Sequence, residues 1–173
     1  MKFYKPLRYN MKMKRVNVKV LILCFVVVYL TAFIGSLFTS SSVSSEWYNS
    51  IKPSITPPNW VFPVVWNILF FLIALSLYFA WTSKKNSKKT RLKIAVVFGI
   101  NLVLNVLWSL LFFTLQNPVI AFCELILFGG SILAMIFITY RIKKISAYLL
   151  IPYVLWVAFA GILNYLIAFG KIY

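Results

Sequence analysis

The sequence predicts an all-α membrane protein, a bundle of five transmembrane helices, and three observations predict it. Of the 173 residues, 62% are hydrophobic and only 12% charged, where a soluble globular domain would have roughly 45–50% and about 25%. Five apolar runs fall at about residues 20–39, 60–81, 94–115, 118–140 and 147–169, and each approaches or exceeds the roughly 20 helical residues that cross a hydrocarbon core. The 18 Lys and Arg residues gather in alternate connections between these runs.

Taken in order, residues 1–19 form a basic N-terminal extension carrying Lys2, Lys5, Arg8, Lys12, Lys14, Arg15 and Lys19, and residues 20–173 form one membrane domain. The first run, with its basic flank and the string Ser40-Ser41-Ser42-Val43-Ser44-Ser45 behind it, has the layout of a secretory signal. Its apolar part is longer than the usual core of roughly 7–15 residues, so it reads as a retained span. Residues 40–59 follow as a 20-residue external connection, too long to be idle by ordinary loop statistics. It carries Trp47, Tyr48, Pro53, Pro57 and Pro58. Prolines limit the unfolded alternatives, so the aromatic pair can be held as a lid over a cavity. The other reading is that Trp47 and Tyr48 belong to an interfacial aromatic belt.

Between the second and third runs lie Lys84, Lys85, Lys88, Lys89, Arg91 and Lys93, and between the fourth and fifth lie Arg141, Lys143 and Lys144. The alternate connections hold only Lys52 and, at the end, Lys171. Basic loops stay on the cytoplasmic side, so five spans put the N-terminus in the cytoplasm and the C-terminus outside. A basic face against anionic headgroups accounts for the formal charge of +16 without nucleic acid, and no zinc or RNP-like motif accompanies the lysines. The lysine- and isoleucine-rich composition points to a prokaryotic plasma membrane.

There is no histidine, and the only acids are Glu46 and Glu124. Ser/Cys–His nucleophilic sites, histidine-ligated metal or haem and carboxylate metal cages are therefore excluded. Glu46 precedes the second span and Glu124 lies within the fourth, so they do not form an acid/base pair. Cys24 and Cys123 both fall in apolar segments and read as small buried hydrophobes rather than a disulfide.

Within the spans the aromatic and polar groups recur at helical spacing. Phe62, Trp66, Phe70, Ile73 and Leu77 share one face of the second span. Asn101, Asn105, Trp108 and Phe112 do so in the third, and Tyr153, Trp156, Ala160 and Asn164 in the fifth. A carboxamide in hydrocarbon must find a partner, so these faces point into the bundle and bring their tryptophans with them. Two readings are open: aromatic packing between helices, and the lining of a cavity for a flat, greasy ligand. Ala160, Gly161, Gly129, Gly130 and Ser131 permit close helix approach. Glu124 is an intramembrane carboxyl and so a functional candidate. It can serve as hydrogen-bond partner to a ligand or an asparagine, as proton carrier of a small secondary transporter, or as a near-interface group that reaches out to the headgroups.

The stretch Trp47-Tyr48, Lys52-Pro53 and then Thr56-Pro57-Pro58-Asn59-Trp60-Val61-Phe62-Pro63-Val64-Val65-Trp66-Asn67-Ile68-Leu69-Phe70 resembles the signature of the TspO/MBR family, the tryptophan-rich sensory proteins and the translocator protein once called the peripheral-type benzodiazepine receptor. Leu104-Asn105-Val106-Leu107-Trp108-Ser109 with Phe112-Phe113 resembles its third-helix motif. Pro152 to Ala160 with Leu163-Asn164 resembles its fifth, and Gly35-Ser36 with Phe38-Thr39 the end of its first. The resemblance covers about residues 34–167 and departs in two places. Only Asn49-Ser50-Ile51 separate Trp47-Tyr48 from Lys52-Pro53, one residue fewer than usual, and the basic extension falls outside the usual pattern.

The resemblance implies a five-helix bundle, often dimeric, with a ligand cavity under the first external connection. It implies porphyrins and haem-related tetrapyrroles as ligands, with sterols or synthetic drugs in some members. Carried over by position, Tyr48, Pro57, Phe62, Trp66, Phe70, Asn105, Trp108, Glu124, Trp156 and Ala160 would line the pocket, with Trp66 and Trp156 matching a pair linked to light-dependent porphyrin breakdown. A loose sterol-type string can also be read at Leu163, Tyr165 and Lys171, though such strings are weak evidence. Together these readings lead to a membrane protein that binds a planar hydrophobic ligand, a tetrapyrrole before a sterol, with no required cofactor and no metal. Proton-coupled transport through Glu124 and light-dependent porphyrin degradation are the alternatives.

Overall fold

A computed structural model describes residues 16–170. Lys2, Lys5, Arg8, Lys12, Lys14, Arg15 and Lys171, to which the sequence reading assigned topology and a sterol-type contact, lie outside the described residues. The chain forms helices α1 (Val18–Thr39), α2 (Glu46–Ile51), α3 (Val61–Trp81), α4 (Lys88–Ser109), α5 (Pro118–Ile142), α6 (Lys144–Tyr148) and α7 (Ile151–Phe169), and a π-helical turn, Leu110–Thr114, continues α4. Among the described residues, five units are long and apolar enough to cross a membrane: α1, α3, α4 with its π turn, α5, and α6 with α7.

The expected spans hold, with informative shifts at their ends. Val18 and Lys19 already belong to α1, because the Asn17 side chain accepts from the Val20 N–H at 3.2 Å and starts the helix there. Helix α1 therefore starts two residues before the expected span. The third span begins at Lys88, not 94: Ser87 caps it through the Thr90 N–H at 3.2 Å. Lys88, Lys89, Arg91 and Lys93 form its exposed first turns, since Lys and Arg are good helix formers that carry their charges to the interface. Asn117 caps α5 through the Ile120 N–H at 3.1 Å, with Pro118 at its first position, where a missing N–H costs nothing. The fifth span is broken at Leu149 and Leu150 ahead of Pro152, whose ring and absent donor interrupt the helical ladder.

Around the bundle α1 packs on α3 and α4, α4 on α5, and α5 on α7, while α6 packs on α3. The ring closes through Phe62–Trp156 and Trp66–Tyr153 contacts between α3 and α7, with ring centroids 5.8 and 6.2 Å apart. Ser76 and Ser146 fasten α3 to α6: each hydroxyl reaches the other's carbonyl, at 2.8 and 2.7 Å, in a fully buried pair. In hydrocarbon such reciprocal bonds satisfy groups that water cannot reach. Ile73, Ala74, Phe98, Ile132 and Met135 fill the core beneath the aromatic layer. Cys24 is buried and Cys123 exposed, so the second cysteine sits on the outer face of α5 rather than in the core.

Candidate functional site

The 20-residue connection read as a loop is partly helical. Ser45 caps α2 by accepting from the Tyr48 N–H at 3.2 Å, and α2 stops at Ile51 because Lys52 takes an extended backbone ahead of Pro53, as a residue before proline prefers. Farther along, the Asn59 amide donates to the Val43 carbonyl at 3.3 Å and ties the two ends of the connection together.

The segment folds back onto the bundle. Tyr48 is buried, its ring 6.4 Å from Phe112 and 5.7 Å from Phe113, and Trp47 meets Phe112 edge-on at 5.8 Å. Burial pushes the Tyr48 phenol above its ordinary pKa. The π turn makes this docking possible. Leu115 N–H reaches back five residues to the Leu110 carbonyl at 2.9 Å, and the widened turn lets the consecutive rings of Phe112 and Phe113 both face inward. Insertions of this kind are frequent at functional sites.

Beneath this cover lies a cavity of about 480 Å³, within the range of roughly 300–1,000 Å³ typical of small-molecule sites. Tyr48, Phe62, Trp66, Phe70, Asn105, Trp108, Trp156 and Ala160 line it. The three indoles thus converge on one space, each beside a second ring: Trp66 is stacked on Phe70 at 5.3 Å, Trp108 on Phe112 at 5.1 Å, and Trp156 meets Phe62 edge-on at 5.8 Å. Helix α1 closes one side with Ala32, Gly35, Ser36 and Thr39, small residues matching the resemblance noted at its end.

Two residues carried over by resemblance are not on this wall. Pro57 sits half-buried in the connection, outside the lining. Glu124 is buried, but the side chains that α5 gives to the cavity are Leu125 and Phe128. Residue 124 stands about 40° around the helix from Phe128 and about 100° from Leu125, at the edge of the face that α5 turns to the cavity. Both Glu124 carboxylate oxygens are inaccessible and have no hydrogen-bond partner among the described residues. Of the sterol-type string, Leu163 is buried on the cavity wall and Tyr165 is exposed on the opposite side of α7. They share no surface.

The polar groups divide into those already satisfied and those left free. Tyr153 donates to Asn101 Oδ1 at 3.1 Å, Asn101 donates to Ser131 Oγ at 2.8 Å, and Ser131 donates to the Phe128 carbonyl at 2.7 Å. This chain of bonds closes the inner end of the cavity, where Tyr153 packs edge-on against Trp66 and Phe128. At the outer end Trp108 Nε1 donates to Asn164 Oδ1 at 3.1 Å, and Asn164 Nδ2 donates to the Pro118 carbonyl at 2.8 Å. By contrast the indole N–H groups of Trp66 and Trp156, both on wall residues, make no hydrogen bond among the described residues, and the Asn105 amide lies on the same wall beside Tyr153. Sequence reasoning missed Ser109, Phe113, Phe128 and Val157 as wall residues. Phe113 is inward only because of the π turn, and Val157 and Phe128 carry no chemistry that marks them.

Five spans enclosing a covered, aromatic cavity define an integral membrane protein of the helical-bundle class. The chain belongs to the TspO/MBR family, whose family model matches residues 22–169. It is 39% identical to the tryptophan-rich protein TspO of Archaeoglobus fulgidus over 87% of this chain and 96% of that one. It is 36% identical to the TspO of Chlorobaculum tepidum over 85% of this chain and 92% of the relative. The translocator protein of Bos taurus is 31% identical over 79% of this chain and 80% of its own length.

Proposed function

We propose that the cavity binds a planar, largely apolar ligand of the tetrapyrrole class, and that the protein holds or hands on that ligand within the membrane. The observation that carries this reading is the convergence of Trp66, Trp108 and Trp156 on one hollow, where packing alone would be served by aliphatic side chains. Offset-stacked and edge-on aromatic contacts favour a flat conjugated ring. The free N–H groups of Trp66 and Trp156, with the amide of Asn105 beside them on the wall, supply polar contacts for the rim of such a ring. The names of the relatives, tryptophan-rich protein and translocator protein, are consistent with a carrier or receptor role.

With no histidine in the chain, an iron-free porphyrin binds about as well as haem, because no imidazole is available as axial ligand. Titration of protoporphyrin IX into the protein in detergent, followed by tryptophan quenching, tests the reading. Saturable quenching, weakened in Trp156→Ala, supports it. Absence of saturation, or a strong preference for haem with a six-coordinate spectrum, overturns it.

Light-dependent porphyrin breakdown is a second reading, favoured by the shared wall position of Trp66 and Trp156. Illumination of the complex would then yield product, and Trp66→Phe with Trp156→Phe would stop it while binding persists. Proton-coupled transport draws less support, since Glu124 is not among the residues that would touch a substrate in the cavity. The distribution of basic residues supports a cytoplasmic N-terminus in a prokaryotic plasma membrane.

A further inference from the structure

A second hollow, of about 280 Å³, lies between α5 and α7. Its lining includes Leu125, Ile126, Gly129 and Gly130 of α5 and Val157 and Ala158 of α7, and no lining side chain is charged or hydrogen-bonding. Ile126, Gly130 and Ala158 are exposed on the outer surface of helices that cross the hydrocarbon core, so the hollow is a groove that faces lipid.

Among the described residues, Leu125 and Val157 alone line both this groove and the aromatic cavity. Both are buried. They form the partition between the cavity and the bilayer at this point.

The surroundings of Leu125 are tight on one side and open on the other. A Cβ placed on Gly161 would come within 3.0 Å of Leu125 Cδ2, so Leu125 leans onto α7 in the space that Gly161 leaves. On its other side Gly129, one turn along the same face, has nothing within 4 Å of where a Cβ would stand. Helical side chains point back toward the N-terminus, so a side chain at 129 would lie over residue 125. Its absence leaves open the space into which Leu125 can swing.

We propose that the α5–α7 groove is a lateral portal through which an uncharged, planar apolar ligand passes between the hydrocarbon core and the cavity, with Leu125 and Val157 as its gate. The inference rests on the reading of the cavity as a ligand site. The apolar lining sets the class of cargo: a porphyrin diester dissolved in lipid can use it, whereas a diacid arriving from water would be turned away by the missing polar partners. The α5–α7 groove is separate from the covered mouth under residues 40–59.

The test uses the full chain in lipid nanodiscs, with protoporphyrin IX dimethyl ester as probe and tryptophan quenching as the signal. Gly129→Leu and Ala158→Leu fill the groove from either side at positions that do not themselves line the cavity, and Gly99→Leu adds the same side chain at an exposed glycine elsewhere with open space around it. The groove-filled variants should bind and release the diester about tenfold more slowly, at unchanged equilibrium affinity, with Gly99→Leu at the wild-type rates. Wild-type rates in both groove-filled variants overturn the portal and leave the cavity reading standing. Equal slowing in Gly99→Leu also overturns it. Should Gly129→Leu instead convert a dimer to a monomer with rates unchanged, the groove is the seat of a second copy and the portal is refuted. If the wild-type protein shows no saturable binding of either the diester or free protoporphyrin, the cavity reading fails and the portal loses its cargo.

Discussion

The bond between Trp108 Nε1 and Asn164 Oδ1, 3.1 Å long, links α4 to α7, and the 2.8 Å bond from Asn164 Nδ2 to the Pro118 carbonyl extends the link to the start of α5. Replacing Trp108 with Phe removes the donor while keeping a ring to stack on Phe112. Asn164 is 2% exposed, so no water replaces the lost donor. Interhelical hydrogen bonds in membrane proteins average about 0.6 kcal/mol and reach about 1.7, and an acceptor stranded in a buried site costs about 1–3 kcal/mol. Trp108→Phe should therefore destabilise by about 1–2 kcal/mol, and Asn164→Leu, which gives up both bonds, by about 2 kcal/mol. The double variant should cost less than the sum, with a coupling of about 1 kcal/mol. Thermal unfolding of the four proteins in one detergent reads this out, at about 2–4 °C per kcal/mol for a chain of this size. A coupling within about 0.3 kcal/mol of zero, the additivity of independent sites, would refute the claim that this bond holds the three helices together at the cavity.

Three further outcomes follow from the same geometry. Glu124→Leu should raise stability by about 1–3 kcal/mol, since the carboxyl has no partner to lose and apolar burial replaces an unmet polar group, while porphyrin affinity stays within about twofold of wild type; calorimetry and the quenching titration check the two parts. Ser76→Ala and Ser146→Ala should each lower the unfolding temperature by about 2–4 °C, because each strands a buried partner worth about 1 kcal/mol; an unchanged midpoint in either would remove the role given to that clasp. In a bacterial host, an alkaline phosphatase fused after the C-terminus should be active and a green fluorescent protein fused there dark, as an external C-terminus requires; the reverse pattern would invert the topology.

The spans were legible because apolar length is a property of composition, and an intrabundle Asn is legible because hydrocarbon gives it no other refuge. Their ends were less so. Lys88, Lys89, Arg91 and Lys93 lower the local hydropathy yet continue the helix, and hydropathy marks where hydrocarbon stops, not where hydrogen bonding stops. Periodicity put Asn101 and Asn105 on one face, and both are buried. It had no means of separating their roles, because Asn101 is consumed by Tyr153 and Ser131 on other helices while Asn105 lines the cavity. The π turn at Leu110–Thr114 was invisible for the same reason: its wider hydrogen bonds depend on what Phe112 and Phe113 pack against, which the local sequence does not carry. Glu124 stood out chemically as the only intramembrane acid, and the cavity instead receives its unremarkable neighbours Leu125 and Phe128.

The distinction between satisfied and free polar groups decides how a site in this position selects its ligand. A ligand taken from water gains about 25 cal/mol for each Å² of apolar surface it buries, but one already dissolved in the bilayer gains almost none of this, since lipid tails are as apolar as the wall. For such a ligand, binding over lipid has to come from what acyl chains do not offer. Here that means ordered rings at Phe62, Trp66, Phe70, Trp108 and Trp156, the unengaged N–H groups of Trp66 and Trp156, and the wall amide of Asn105. Stacking is worth about 0.5–1.5 kcal/mol per aromatic pair and a buried neutral hydrogen bond about 1 kcal/mol, so a flat ring that meets several of each outcompetes lipid, and a flexible chain that meets none does not. Asn105→Leu should therefore cost about tenfold in affinity for an acceptor-bearing porphyrin and leave binding of a purely hydrocarbon polycycle of similar outline unchanged. Parallel loss of both would mean that the amide shapes the wall without reading the ligand.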